Sequence, residues 1–308
     1  MIEKITEKKW FFYSLVPVCA LLWGFSFLGT TVALEKLEPM QLLALRWTIS
    51  AVLFLLLAAL KLVKVNFKGK DVKLVLMVGV MQPCVYSIFE TNGINLTTTS
   101  ESSIFIATVP LAVLLIGAVF LKKKNTRRTV FAILLAFCGV VLCTVFSPGF
   151  SLGGKGLGYL VLLGAVVSGA MYTYASSKAA SQFDALELTF GISVMGGIFF
   201  NCISFAKGYG FSGYAVCLQD GKMMAAVLFL GIFCSCVCYI IFNYVLGKVP
   251  TAVGTNLISN STTAVGVLTG CAFAGDPFGW YTVAGLALTI TGICLSSQNN
   301  ENKRGKAT

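Results

Sequence analysis

The chain has 308 residues, 57% of them hydrophobic and only 11% charged, against roughly 25% charged in an average soluble domain. Too few charges remain to coat a water-soluble fold. The net charge of +11 would suit nucleic acid, but the charges gather in short segments between apolar runs, so no nucleic acid is expected as a partner.

About 20 residues at 1.5 Å rise cross a hydrocarbon core of roughly 30 Å, and apolar runs of that length follow one another almost without pause. They predict an all-α integral membrane fold of ten transmembrane helices, at 11–33, 39–60, 72–93, 100–121, 128–146, 157–177, 185–206, 223–246, 251–273 and 278–296. The first run follows Lys4, Lys8 and Lys9 and superficially resembles a secretory signal. It continues past Pro17 and Trp23 to about Val32, so it is read as a retained span. Trp23, Ser26 and Thr30 form a stripe on it, with Trp23 as a gate or stacking platform, or simply packing.

The second span holds Arg46, seven residues inside Pro39. A charge near the centre of a span costs roughly 2.5–3.5 kcal/mol on insertion scales, so it needs a partner or a path to water. Glu90 and Glu101 lie close enough in depth to pair with it. Recognition of a substrate carboxylate is the other reading, because the guanidinium fork matches one. In the third span Gln82, Tyr86 and Glu90 recur at i+4 steps and share a face. Pro17, Pro83 and Pro110 fall within spans, where proline removes a helical hydrogen bond, bends the axis and can act as a hinge.

The Gly/Ser-rich segment from Ser147 to Gly158 reads as a linker. Beyond it, Ser168, Tyr172 and Ser176 form a stripe on the sixth span, and Tyr239 and Asn243 another on the eighth. Cys234, Cys236 and Cys238 alternate there, so the middle thiol points away from the other two, a poor geometry for zinc. With no histidine among 308 residues and ten of the 11 cysteines in apolar runs, no metal and no cofactor is expected. The cysteines read as small buried residues, with Cys217 alone in a loop. The ninth span carries Asn256, Asn260 and Thr263 on one stripe, with Thr255, Ser259 and Thr262 on the next. Amides and hydroxyls at that depth fit a wet cavity wall, with helix-to-helix contact as the alternative because Gly266 and Gly270 follow at small-xxx-small spacing.

An even number of spans puts both termini on one side. With that side cytoplasmic, eighteen lysines and arginines lie inside and four outside, Arg46 being the one within a span. This bias predicts a multi-pass protein of the cytoplasmic membrane with both termini cytoplasmic. The chain also reads as duplicated: aligning Gly79 with Gly231 brings Tyr86 and Phe89 beside Tyr239 and Phe242 after a one-residue slip. Two five-helix repeats follow, residues 1–150 and 151–298, with a cytoplasmic tail at 299–308. An odd number of helices per repeat inverts the second, and such repeats meet at a midplane substrate site.

Trp23-Gly24, Pro39 followed by Leu45-Arg46-Trp47, Val109-Pro110-Leu111 through Phe120, and Gly285 to Gly292 resemble, in order and spacing, the drug/metabolite transporter superfamily and its ten-helix EamA type. The resemblance implies inverted repeats around a central cavity and export or exchange of metabolites such as amino acids. Two departures stand out: lysines 122–124 replace the glutamate common after the fourth helix, with Asp276 in the corresponding place of the second half, and Thr262 stands where the ninth helix carries proline.

The expected function is therefore secondary transport of a small molecule by alternating access, with the lipid bilayer as surroundings and a monomer as the working unit. The expected substrate-binding residues are Asn256, Ser259, Asn260, Thr263, Gln82, Tyr86, Tyr239, Asn243, Trp23 and Tyr172, and a charge or coupling role falls to Arg46, Glu90 and Glu101. No catalytic residues are expected, since the chain lacks histidine, midplane aspartate pairs and a Gly-x-Ser-x-Gly motif. A lipid or drug flippase of the same fold would need a cavity opening sideways. A scaffold or receptor would need large surface loops, which are missing.

Overall fold

The computed structural model describes residues 9–120, 127–148, 156–248 and 251–304; side chains at 9–13, 120, 129, 133, 144, 251–257, 260, 293 and 296–304 are outside that description. The described chain is helical throughout: α1 (Lys9–Leu34), α2 (Pro39–Ala59), α3 (Val72–Leu96), α4 in two pieces (Thr99–Ile106 and Val109–Phe120), α5 (Arg127–Val145) and α6 (Gly156–Ala179). It continues with α7 (Ala185–Ala206), a short helix Ser212–Gln219, α8 (Gly221–Lys248), α9 (Thr251–Phe273) and α10 (Trp280–Arg304). Among the described residues seven helices, α1–α4 and α6–α8, are long and apolar enough to cross a membrane, while the apolar stretches Val130–Cys143 in α5 and Ser261–Phe273 in α9 are shorter.

Helix starts follow local chemistry. The Gln41 side chain accepts from the Glu38 N–H at 2.9 Å, and Pro39 opens α2 where its missing N–H costs nothing. Asp184 and Glu187 form a reciprocal capping box at α7, as Thr98 and Glu101 do at α4. Asp71 and Asp220 cap α3 and α8 through backbone N–H groups of Lys73 and of Lys222 and Met223. Two interruptions matter for the interior. Val80–Tyr86, containing Pro83, and Phe229–Val237 wind as π turns inside α3 and α8. Pro110 does not kink a continuous helix: α4 breaks at Ala107–Thr108, and Pro110 stands in the first turn of the second piece, where proline is tolerated.

Packing joins distant parts of the chain. α2 runs antiparallel to α7, with Phe54 against Phe190 near one end and the Gln41 amide donating to Ser212 Oγ at 2.8 Å at the other. Between them the Ser50 and Ser193 hydroxyls meet at 2.7 Å, and Gly196 leaves room for Trp47, whose ring a Cβ there would strike at 2.8 Å. α5 and α10 form a second antiparallel seam in which a Cβ on Gly139 would lie 2.6 Å from the Gly285 carbonyl. Small residues permit this backbone approach where no water-driven collapse holds helices together.

The short helix Ser212–Gln219 corrects the sequence reading at one point: Cys217 is not in an open loop but is 7% exposed, packed with Leu37, Met223 and Val227. The alternating thiols behave as expected, Cys234 and Cys238 facing Leu22 and Cys19 of α1 while Cys236 faces Ser50 of α2.

Candidate substrate cavity

At the centre of the bundle lies a cavity with about 680 Å³ of atom-free space including its mouth. It is built from α1, α2, α3, α4, α6, α8 and α9. Of the residues expected to bind substrate, it is lined by Trp23, Gln82, Tyr86, Tyr172, Tyr239, Ser259 and Thr263, together with Arg46 and Glu90. The i+4 stripe on α3 thus points inward as a unit across its π turn.

The polar floor is an interlocked set. Arg46, 4% exposed, donates from Nε to Ser235 Oγ at 2.6 Å and places Nη1 3.8 Å from Glu90 Oε2. Glu90 Oε1 accepts from the Tyr86 hydroxyl at 2.8 Å. Gln82 donates its amide to the Tyr239 hydroxyl. A charge pair at 3.8 Å is Coulombic contact without a good hydrogen bond, so Arg46 keeps donor capacity toward the cavity.

The walls are aromatic. Trp23 meets Tyr239 edge-on at 5.3 Å and Phe242 at 5.3 Å, and Tyr172 stacks on Phe242 at 5.8 Å. The Trp23 indole donates to the Cys234 carbonyl at 3.3 Å, which fixes its ring. Opposite stand the hydroxyls of Ser103, Ser259, Thr262 and Thr263. Thr263 Oγ1 donates to the Ser259 carbonyl at 2.8 Å, whereas Thr262 Oγ1 is buried without a hydrogen-bond partner among the described residues. A buried orphan hydroxyl costs about 1–3 kcal/mol, which makes Thr262 a poor packing residue and a good ligand contact.

Two expected residues lie elsewhere. Asn243 does not line the cavity; its Oδ1 accepts from Tyr172 at 2.8 Å and Ser176 at 2.7 Å, and its Nδ2 donates to Thr189 at 3.1 Å, so its amide is consumed in tying α6, α7 and α8 together. Glu101 does not face Arg46 either. Its carboxylate closes the α4 capping box and accepts from Tyr159 at 3.1 Å. The side chains of Asn256 and Asn260 lie outside the described residues, although both positions are helical in α9. Sequence reasoning missed Phe242, Ser103, Ser235 and Thr173 at or under the cavity. Phe242 stands three residues after Tyr239 in the regular helix beyond the π turn, so the two share a face, and that spacing was the signal that could have found it.

Both ends of the bundle are clasped. At one, Lys36 meets Asp220 at 2.5 Å and Lys222 meets Glu35 at 3.3 Å, joining the α1–α2 connection to the start of α8. Lys36 holds the Asp220 carboxyl below its ordinary value, chiefly through their hydrogen bond, and its own ammonium is raised in return. At the other end, Lys70 meets Glu187 at 2.5 Å, and the Asn66 and Asp71 N–H groups donate to Glu187 and Gln182.

An all-helical bundle with several membrane-length apolar helices and a polar, aromatic-walled interior defines a multi-pass membrane protein. The sequence profile of the EamA-like transporter family matches the chain twice, over residues 10–145 and 156–298. The chain belongs to that family and is a transporter. It is 28% identical to the "Uncharacterized transporter YcxC" of Bacillus subtilis strain 168, over 91% of this chain and 90% of the relative. A similarity of 22% extends over 99% of this chain and 98% of the "Probable terminal-alkyne amino-acid exporter" of Streptantibioticus cattleyicolor. A solved crystal structure 17% identical in sequence superposes with a TM-score of 0.66, covering 92% of this chain and 96% of that one, which shows a shared fold.

Proposed function

We propose that this protein is a secondary transporter, an exporter or exchanger, that moves a small metabolite by alternating access through the central cavity. The observation that carries the reading is the buried Arg46–Glu90 pair set among aromatic rings and an orphan Thr262 hydroxyl. Such polarity inside a membrane bundle is costly unless a polar ligand uses it. An amino acid or related compound is the substrate class, a reading supported by the Streptantibioticus relative being named a probable amino-acid exporter and by a site pairing a cation, an anion and apolar walls. A substrate carboxylate takes the unused Arg46 donors, and its apolar arm lies against Trp23, Tyr172 and Phe242.

The moving parts are two inverted five-helix repeats, residues 1–150 and 151–298. The double family match, the π turns at comparable places in α3 and α8, and the antiparallel α2–α7 and α5–α10 seams support that division. Rocking opens one clasp while the other holds. The lysine and arginine bias supports a cytoplasmic-membrane location with both termini inside, and no element of the mechanism needs a second copy, so the unit is a monomer.

Counterflow in proteoliposomes tests this. Purified protein preloaded with unlabelled amino acids is expected to accumulate a labelled one, and Thr262→Val and Arg46→Gln to lose that accumulation. A panel of the twenty amino acids giving none would remove the substrate class. Accumulation unaffected by either substitution would remove this cavity from the pathway.

A further inference from the structure

A second, outward-facing concavity carries chemistry that solute transport does not use. Between α3, α4 and α6 lies a groove with about 1170 Å³ of atom-free space, lined by Met77, Met81, Met171, Ile116, Tyr174 and, at one end, Lys178. Three of the chain's eight methionines meet here. Unbranched, polarizable side chains suit a partner that is itself flexible and apolar. Met77 and Met171 are 38% and 42% exposed, so this floor faces outward.

The groove has a cationic end. Lys73 stands four residues before Met77 and eight before Met81, on the same stripe of α3, and is exposed. Lys178 stands seven residues after Met171 on α6, about 10 Å along the axis. Lys70, the neighbouring cation, is committed to Glu187 at 2.5 Å. Among the described residues neither Lys73 nor Lys178 has a carboxylate partner, although Asp71, which caps α3, lies close by in sequence. The groove between α4, α5 and α6, with about 1320 Å³ of atom-free space, differs in having no charged side chain among the described residues that line it.

We propose that the α3–α4–α6 groove is a binding site for an anionic phospholipid of the leaflet on the side of the α2–α3 connection. An acyl chain lies on the methionine floor, and the phosphate sits between Lys73 and Lys178. Charge complementarity selects the occupant, since a purely apolar partner would leave both ammonium groups unused, whereas a juxtamembrane lysine favours anionic lipid by roughly fivefold. The site is independent of the substrate reading, because it shares none of its described residues with the central cavity.

The test is native mass spectrometry of the full-length, delipidated protein offered equal amounts of phosphatidylglycerol and phosphatidylcholine with identical chains. Wild type is expected to retain the anionic lipid severalfold better. Lys73→Gln with Lys178→Gln should abolish that preference while phosphatidylcholine retention stays unchanged. Lys61→Gln with Lys64→Gln, exposed lysines of the same connection that are not on the groove, should preserve it. Met171→Trp should reduce retention of both lipids by filling the floor. Equal retention by wild type, a preference that survives the Lys73/Lys178 change, or its equal loss in the Lys61/Lys64 control would overturn the proposal. Lys178→Arg, which keeps charge and length, guards against a folding artefact and should retain the wild-type preference.

Discussion

Glu90 and Asn243 each lie four residues beyond a cavity tyrosine, Tyr86 in α3 and Tyr239 in α8, yet they serve opposite purposes. Glu90 brings a charge to within 3.8 Å of Arg46 inside the cavity, while Asn243 buries a neutral amide among Tyr172, Ser176 and Thr189 outside it. One position is left available to a ligand and the other is closed by three hydrogen bonds.

Removing one member of the buried pair strands the other. Glu90→Leu or Arg46→Met alone is expected to destabilise the protein by roughly 3–5 kcal/mol, and the double substitution to cost clearly less than either. Thermal unfolding of the purified variants measures this. Additive losses in the double variant would mean the two charges do not depend on each other.

Thr262→Val separates binding from folding. The hydroxyl it removes has no partner among the described residues, so stability should stay the same or rise by up to about 1 kcal/mol, while substrate transport falls. A clear drop in unfolding temperature would show that the hydroxyl is bonded in the native protein.

The Lys36–Asp220 clasp depends on pH and salt. The Asp220 pKa is lowered from 3.8, so its contribution is fully present above that ordinary value and fades as pH falls through the depressed one. The Lys36 pKa is raised from 10.5, so its contribution is full below that value and lost as pH rises through the elevated one. Between these limits the clasp holds, weakened by salt because it is exposed. Maleimide labelling of Cys217, 7% exposed and packed with Leu37 and Met223 beside the clasp, kept as the single cysteine of the protein, should quicken in Asp220→Asn and in high salt. Labelling equally slow in both conditions would rule out the clasp as a barrier.

Gly139→Leu should prevent assembly of the α5–α10 seam, since its Cβ would meet the Gly285 carbonyl and the Thr289 amide nitrogen, which are backbone and cannot give way. Loss of monodisperse protein on size-exclusion chromatography is expected. Normal yield and elution would contradict the packing.

Much of this arrangement was legible from residue spacing. The i+4 stripe of Gln82, Tyr86 and Glu90 and the isolated Arg46 led directly to the cavity, because polar groups inside an apolar helix have few places to go. The fate of Asn243 was not legible. A single chain pattern tells which face is polar, but not whether Tyr172 and Thr189 arrive from other helices to consume the amide. Glu101 is turned away from Arg46 for a related reason: Thr98, three residues earlier, and Tyr159 of α6 both engage its carboxylate, and depth along the span reveals neither. The break in α4 and the π turns likewise escaped periodicity, since each changes the helical repeat that the reading assumes.

The α5–α10 seam stands apart from the chamber: none of the described residues lining the chamber belongs to either helix. It joins the two stretches of sequence that the family profile matches separately, and its backbone contact leaves little slack for sliding. A seesaw needs one place that stays still. In the rocking proposed above this seam is that still point, a small tilt there giving a wide swing at the chamber, and a cross-link from Cys143, whose thiol lies 3.3 Å from the Tyr281 carbonyl, to a cysteine introduced at Tyr281 should leave turnover intact.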